Sequence, residues 1–149
     1  MPQTLDGSGV PPEELEFQLF SCSHLVLLRR VAPSRRLTTL LNLLETSCSS
    51  PDLSLSRAAS YCGTEKNHLN MLLRASTGFT FHSLLIRYRL YNASKLILSS
   101  DLTFLEIAHK TGFGSLSSFE RNFFRLLGQT PREYRRREPR FGNKKTLGS

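Results

Sequence analysis

Two pieces of this chain, LSRAASYCGTEKNHLNMLLRASTGFT (residues 55–80) and LEIAHKTGFGSLSSFERNFFRLLGQT (residues 105–130), are one pattern written twice, fifty positions apart. Leu55, Ala58, Leu69, Leu73, Gly78 and Thr80 in the first answer to Leu105, Ala108, Phe119, Phe123, Gly128 and Thr130 in the second. A small residue, a large apolar one eleven positions on and another four later suit two helices that cross closely. The first offers a small face, and the second keeps its apolar side chains on one stripe. Cys62-Gly63-Thr64 and Gly112-Phe113-Gly114 supply the intervening turns. A short helix, a Gly turn and a longer helix outline a helix-turn-helix, and two stand here in tandem.

Outward from the repeat, residues 1–14 are rich in Gly, Ser and Pro and are expected to form a disordered leader. Residues 15–33 form a short apolar segment. Leu15, Phe17 and Leu19 alternate with Glu16, Gln18 and Phe20, and an apolar run follows at 25–28, so residues 15–31 fit either a small hairpin or an amphipathic helix. Such a patch leaves room for a protein partner or a weak dimer contact. Ser34 is the expected N-cap of a helix with Leu37, Leu40, Leu41 and Leu44 on one face. Ser54 or Ser56 caps the next.

The first helix-turn-helix is placed at 55–76, its longer helix burying Leu69, Leu72 and Leu73. Residues 81–99 read as one linker helix, and at about 1.5 Å per residue it measures roughly 28 Å. That is close to the ~34 Å between successive major grooves on one face of B-DNA. Asp101 is expected to cap a helix over 103–110 whose Phe104, Leu105, Ile107 and Ala108 face the core. The second helix-turn-helix is placed at 104–127, burying Phe119, Phe123 and Leu126. Pro131 opens a last helix, and 138–149 read as a basic, flexible tail.

The net charge of +8 is unevenly distributed. Residues 1–53 hold 4 basic and 6 acidic side chains, a balance of −2. Residues 54–137 hold 13 and 5, a balance of +8, and the last twelve residues add +2. A surplus confined to the repeated segment and its tail points to a polyanion partner. No apolar run approaches the roughly 18 residues of a membrane span, and no secretory signal pattern opens the chain. Cys22, Cys48 and Cys62 form no C-x-x-C pair, so neither a metal site nor a disulfide framework is expected, and a reducing cytoplasm suits them. Catalytic residues and cofactors are expected to be absent, since no paired carboxylates, Ser/His/Asp set or phosphate-cradling Gly loop stands out.

A helix entering a major groove needs base-reading side chains near its N-terminus and cations for phosphates further along. The first longer helix presents Lys66, Asn67, Asn70, Met71 and Arg74 away from its Leu stripe. Asn pairs with adenine, Met meets a thymine methyl, and Lys or Arg reaches guanine or phosphate. The second presents Leu116, Ser117, Ser118, Glu120, Arg121 and Arg125, with Arg121 the leading candidate for guanine. Glu120 either orients a neighbouring Arg or accepts from cytosine. The alternative is that these faces are merely solvated. Arg135, Arg136 and Arg137, with Arg140, Lys144 and Lys145, suit phosphate contacts or a solvated tail.

The second copy, from Ile107-Ala108-His109-Lys110-Thr111-Gly112-Phe113-Gly114-Ser115 through Ser118-Phe119-Glu120-Arg121-Asn122-Phe123-Phe124-Arg125 to Gly128-Gln129-Thr130-Pro131-Arg132-Glu133-Tyr134-Arg135, resembles the signature of AraC/XylS transcription regulators. The resemblance covers roughly residues 36–137. It implies an all-α, seven-helix domain with two helix-turn-helix units joined by a long central helix. It also implies recognition helices in adjacent major grooves of promoter DNA, and contact with RNA polymerase where the protein activates transcription. By position in the motif the base-reading sites fall on Asn67, Asn70 and Met71, and on Leu116, Ser117, Glu120 and Arg121.

Met71 departs from an Arg common in the family, and Glu65 from a Ser cap, which leaves capping to Thr64. Only some 35 residues precede the first helix, too few for an effector-binding barrel. The chain therefore resembles the compact, stand-alone members, with no small-molecule effector domain, acting in the cytoplasm at the nucleoid. The expected function is a sequence-specific, double-stranded DNA-binding regulator, an activator contacting RNA polymerase. The alternative is a degenerate member that works as a protein-interaction module through residues 15–31. DNA-repair methyltransferases carry the same module beside a four-cysteine zinc site, which three scattered cysteines do not supply.

Overall fold

The computed structural model describes residues 34–137, in which seven helices and no strand are found. In chain order they are α1 (Arg35–Ser47), α2 (Leu55–Tyr61), α3 (Lys66–Thr77), α4 (Phe81–Ser99), α5 (Phe104–Lys110), α6 (Leu116–Leu127) and α7 (Pro131–Arg137). The expected leader, the apolar segment at 15–33 and the tail at 138–149 lie outside the described residues.

Short side chains start most of these helices by accepting a first-turn N–H. The Leu37 N–H donates to Ser34 Oγ at 3.2 Å, and the Arg57 N–H to Ser54 Oγ at 3.2 Å, which makes Ser54 the cap of α2. Thr80 and Ser115 do the same for α4 and α6, each accepting at 3.1 Å. Two expected caps are corrected. Thr103, not Asp101, caps α5, because Thr103 and Glu106 form a reciprocal capping box: the Thr103 N–H donates to Glu106 Oε1 at 2.8 Å and the Glu106 N–H to Thr103 Oγ1 at 3.1 Å. At α3 Glu65 takes the N-cap position and no side chain caps it, so Thr64 does not substitute. Both longer helices end on a left-handed glycine, Gly78 (φ 83) and Gly128 (φ 74).

The two units pack on opposite kinds of core. Leu69 and Leu73 of α3 are fully buried beside Ala58 and Ala59 of α2. In the second unit Phe113, Phe119, Phe123 and Tyr134 form a chain of tilted and edge-on rings with centroids 5.4, 5.7 and 5.6 Å apart. Leu127 is buried where Leu126 is the expected core residue, and Leu72 is only half-buried. Leu105 is also corrected: it stands 47% exposed, because Ile107 and Ala108 already fill the inner face of so short a helix.

Between the units α4 is buried almost all round, from Phe81 to Leu98, because it packs on α3 on the one hand and on α5, α6 and α7 on the other. It even buries a charge. Arg89, 7% exposed, donates from Nε to the Cys48 carbonyl at 2.7 Å and from Nη2 to the Ser50 carbonyl at 2.9 Å. These carbonyls lie at and just beyond the C-terminus of α1, where a cation is favoured. Gly112, in the turn of the second unit, lies against the same spot. Its φ is 99°, and a Cβ there would stand 2.7 Å from Arg89 Nε and 2.9 Å from the Cys48 carbonyl oxygen. One buried guanidinium thus ties the end of α1 to the central helix and meets the second unit's turn. Burial pushes the neighbouring Cys48 thiol above its ordinary pKa, against the opposing Arg89 charge, and lowers that of Arg89.

Candidate nucleic-acid interface

The outer face of α3 follows from its inner one. With Leu69, Leu73 and Thr77 buried, Lys66, Asn67, Met71 and Arg74 are left exposed on the other side. Met71 is 62% exposed, and among the described residues nothing covers its thioether. Asn70 departs from expectation. It is half-buried, and its Oδ1 accepts the Phe81 N–H at 2.8 Å. A bidentate adenine contact needs that oxygen's partner amide and the oxygen together, whereas here the oxygen is committed to the start of α4. Asn70 is placed as a brace between α3 and α4.

On α6, Ser117, Glu120, Arg121 and Arg125 are exposed, opposite fully buried Phe119 and Phe123. Ser118 is half-buried and engaged along the helix. Its N–H donates to Ser115 Oγ, and its carbonyl accepts from Asn122 Nδ2 at 2.9 Å. Leu116 is half-buried against the core, which leaves only part of it for a thymine methyl. Arg125 Nη2 donates to Asn122 Oδ1 at 2.8 Å, so its guanidinium is held to one side of the helix.

The proposed phosphate cluster divides. Arg135 is half-buried: its Nε and Nη2 donate to the carbonyls of Ile97 and Ser100, each at 3.3 Å, and its guanidinium lies 4.7 Å from the centroid of Phe104. It closes the C-terminal end of α4 rather than standing in solvent, a correction with the same cause as Arg89: orphan carbonyls at a helix end attract a cation. Arg136 is exposed; Arg137 ends α7 and its side chain lies outside the described residues, as do Arg140, Lys144 and Lys145.

The sequence reading missed Phe124, which is 56% exposed on α6 beside Arg121 and Arg125. Its position after Phe123 is the available signal, since two adjacent helical residues cannot share one face. It missed Arg87 of α4 as well. That guanidinium stacks over the Phe79 ring, 4.5 Å from the centroid. Among the described residues no group of three or more His, Cys, Asp or Glu side chains is placed to hold a metal ion, and no helix is long and apolar enough to cross a membrane.

Comparison with known proteins bears on this geometry. A helix-turn-helix domain family matches residues 58–137. An uncharacterized HTH-type transcriptional regulator of Staphylococcus aureus (strain COL) is 38% identical over 88 residues, which is 59% of this chain and 12% of that protein. The chain thus spans about an eighth of the length of the curated relatives it first matches. The C-terminal domain of AraT, a response regulator from Geobacillus stearothermophilus, superposes with a TM-score of 0.70 at 25% identity, covering 74% of this chain and 93% of that one. The DNA-binding domain of AdpA, a global transcriptional factor solved in complex with a target DNA, shares the fold. Its TM-score is 0.65 at 24% identity, over 69% of this chain and 92% of that one.

Proposed function

The chain belongs to the AraC/XylS-type helix-turn-helix family of DNA-binding transcription regulators, and on that premise we propose that it binds double-stranded promoter DNA sequence-specifically through α3 and α6 in adjacent major grooves. The observation that carries this reading is the pair of outward faces. Lys66, Asn67, Met71 and Arg74 on α3, and Ser117, Glu120 and Arg121 on α6, stay exposed while the opposite stripe of each helix is fully committed to the core. Arg121 suits a guanine edge, Asn67 an adenine, and Met71 a thymine methyl. Arg74, Arg125 and Arg136 suit phosphates. Activation of transcription through contact with RNA polymerase, action in the cytoplasm as a monomer or weak dimer, and a partner or dimer role for residues 15–31 complete the proposal.

Salt dependence tests the electrostatic part. In a mobility-shift titration on a duplex selected from random sequence, log K falls linearly with log salt, with a slope near −0.9 per phosphate neutralised. About four or more contacts are expected from the exposed cations of the two faces. A slope near zero removes the reading.

A further inference from the structure

The outer face of α6 carries two arginines one turn apart, Arg121 and Arg125, alike in charge and both exposed. Their own chemistry does not decide which of them reads a base, since either guanidinium can fork onto a guanine edge. A helix turns about 100° per residue, so Arg125 lies about 40° round from Arg121, and Asn122 about 60° beyond Arg125 on the same side.

Asn122 is half-buried, and its amide is used at both ends. Nδ2 donates to the Ser118 carbonyl at 2.9 Å, one turn back, and Oδ1 accepts from Arg125 Nη2 at 2.8 Å. A carbonyl takes only the NH2 of an amide and a guanidinium only its oxygen, so these two partners permit one orientation of the side chain. The Arg125 guanidinium is thereby drawn away from Arg121, toward the flank of the helix. Like charges four residues apart repel, and the clamp keeps these two separated. It also removes in advance part of the rotamer freedom that an arginine loses on binding. In a major groove the crest of the helix meets base edges, whereas a cation held at its flank meets the phosphates of the wall.

We propose that Asn122 is a positioning residue that divides the work of α6: by holding Arg125 to the flank it commits that guanidinium to a backbone phosphate and leaves Arg121 alone to read a base. The inference rests on the proposed DNA binding and deepens it, because it makes the base preference of α6 depend on a residue that touches no base itself.

The test uses the full chain and a duplex selected from random sequence, together with single-substituted versions of that duplex. Wild type is compared with Asn122→Ala, Asn122→Thr, Arg125→Ala and the double variant Asn122→Ala/Arg125→Ala. Asn122→Thr keeps a hydroxyl for the carbonyl four residues back, as Thr46 does for Asn42 at 2.9 Å, but withdraws the amide oxygen. It therefore keeps the proposal falsifiable where Asn122→Ala loosens the helix. Each Asn122 variant is expected to weaken the selected duplex about three- to tenfold. Each is also expected to raise the standing of guanine at a base pair beside the one that Arg121→Ala relaxes, as the freed Arg125 enters the groove. With Ala already at 125, Asn122→Ala is expected to add less than about twofold. Asn122→Thr equal to wild type would give the role to the Ser118 bond. Losses that add in full in the double variant would mean that Asn122 acts without Arg125, and an unchanged base ranking would mean that Arg125 needs no clamp. Each of these overturns the proposal while leaving DNA binding intact. Wild type that selects no duplex overturns the DNA reading itself, and the proposal with it.

Discussion

At the scale of single residues, basic side chains that are alike in the sequence have three different fates. Arg121 stands in solvent, Arg89 is sealed beneath the α1–α2 connection, and Arg135 lies across an aromatic ring at the end of α4. Replacing Arg121 with Ala is expected to cost ~1–3 kcal/mol on the specific site and to relax discrimination at one base pair, measured by competition among single-substituted duplexes. An equal loss on every duplex would make it a phosphate contact instead. Gly112 makes a prediction of another kind. Gly112→Ala meets a left-handed backbone and the Cys48 carbonyl oxygen together, and a backbone carbonyl cannot swing aside as a side chain can. A loss of about 1–3 kcal/mol is expected from the strained conformation, with the clash adding to it, read by urea denaturation. A neutral effect would mean that the turn and α1 separate easily.

Among the elements, α5 depends most on its ends. It has only seven residues, too few to be stable alone, and turns just Ile107 and Ala108 fully inward. Its capping box supplies part of what packing does not. Thr103→Ala is expected to cost about 1 kcal/mol. The hydrogen bonds from the Thr103 N–H and hydroxyl hold the Glu106 carboxyl below its ordinary pKa. A lowered folded-state pKa gives stability that is present above the unfolded value and is lost as pH falls through the folded one. The stability difference between wild type and Glu106→Gln should therefore shrink as the solution is acidified through the carboxylate range. A difference independent of pH there would show that the amide and the carboxylate cap alike. α3, by contrast, starts after Glu65 with no side-chain cap.

For the molecule as a whole, α4 sets the distance between the proposed reading helices. Its 19 residues are buried nearly all round and braced by Asn70 and Arg89 in its first half and by Arg135 at its end. A rod so constrained cannot stretch to follow its site. Inserting about five or about ten base pairs between the two half-sites is expected to reduce binding to the level of one half-site alone, since five rotate and ten translate one groove out of reach. Undiminished binding at either spacing, in the same mobility-shift assay, would require the two units to move independently.

The sequence by itself determined the seven helices, the starts at Ser34 and Ser115, the glycine that ends α3 and the buried pairs Leu69/Leu73 and Phe119/Phe123. Each of these is written within a few residues of itself, as a period or a cap. Tertiary structure alone decided that Arg89 and Arg135 are struts and that Asn70 braces α4. Arg89 and Arg135 find their carbonyls 41 and 38 residues away along the chain. Asn70 finds its partner N–H across the turn from one helix to the next, 11 residues on. A polar side chain beside an apolar stripe looks the same whether water or a distant helix end satisfies it, and only packing brings that end within hydrogen-bond reach.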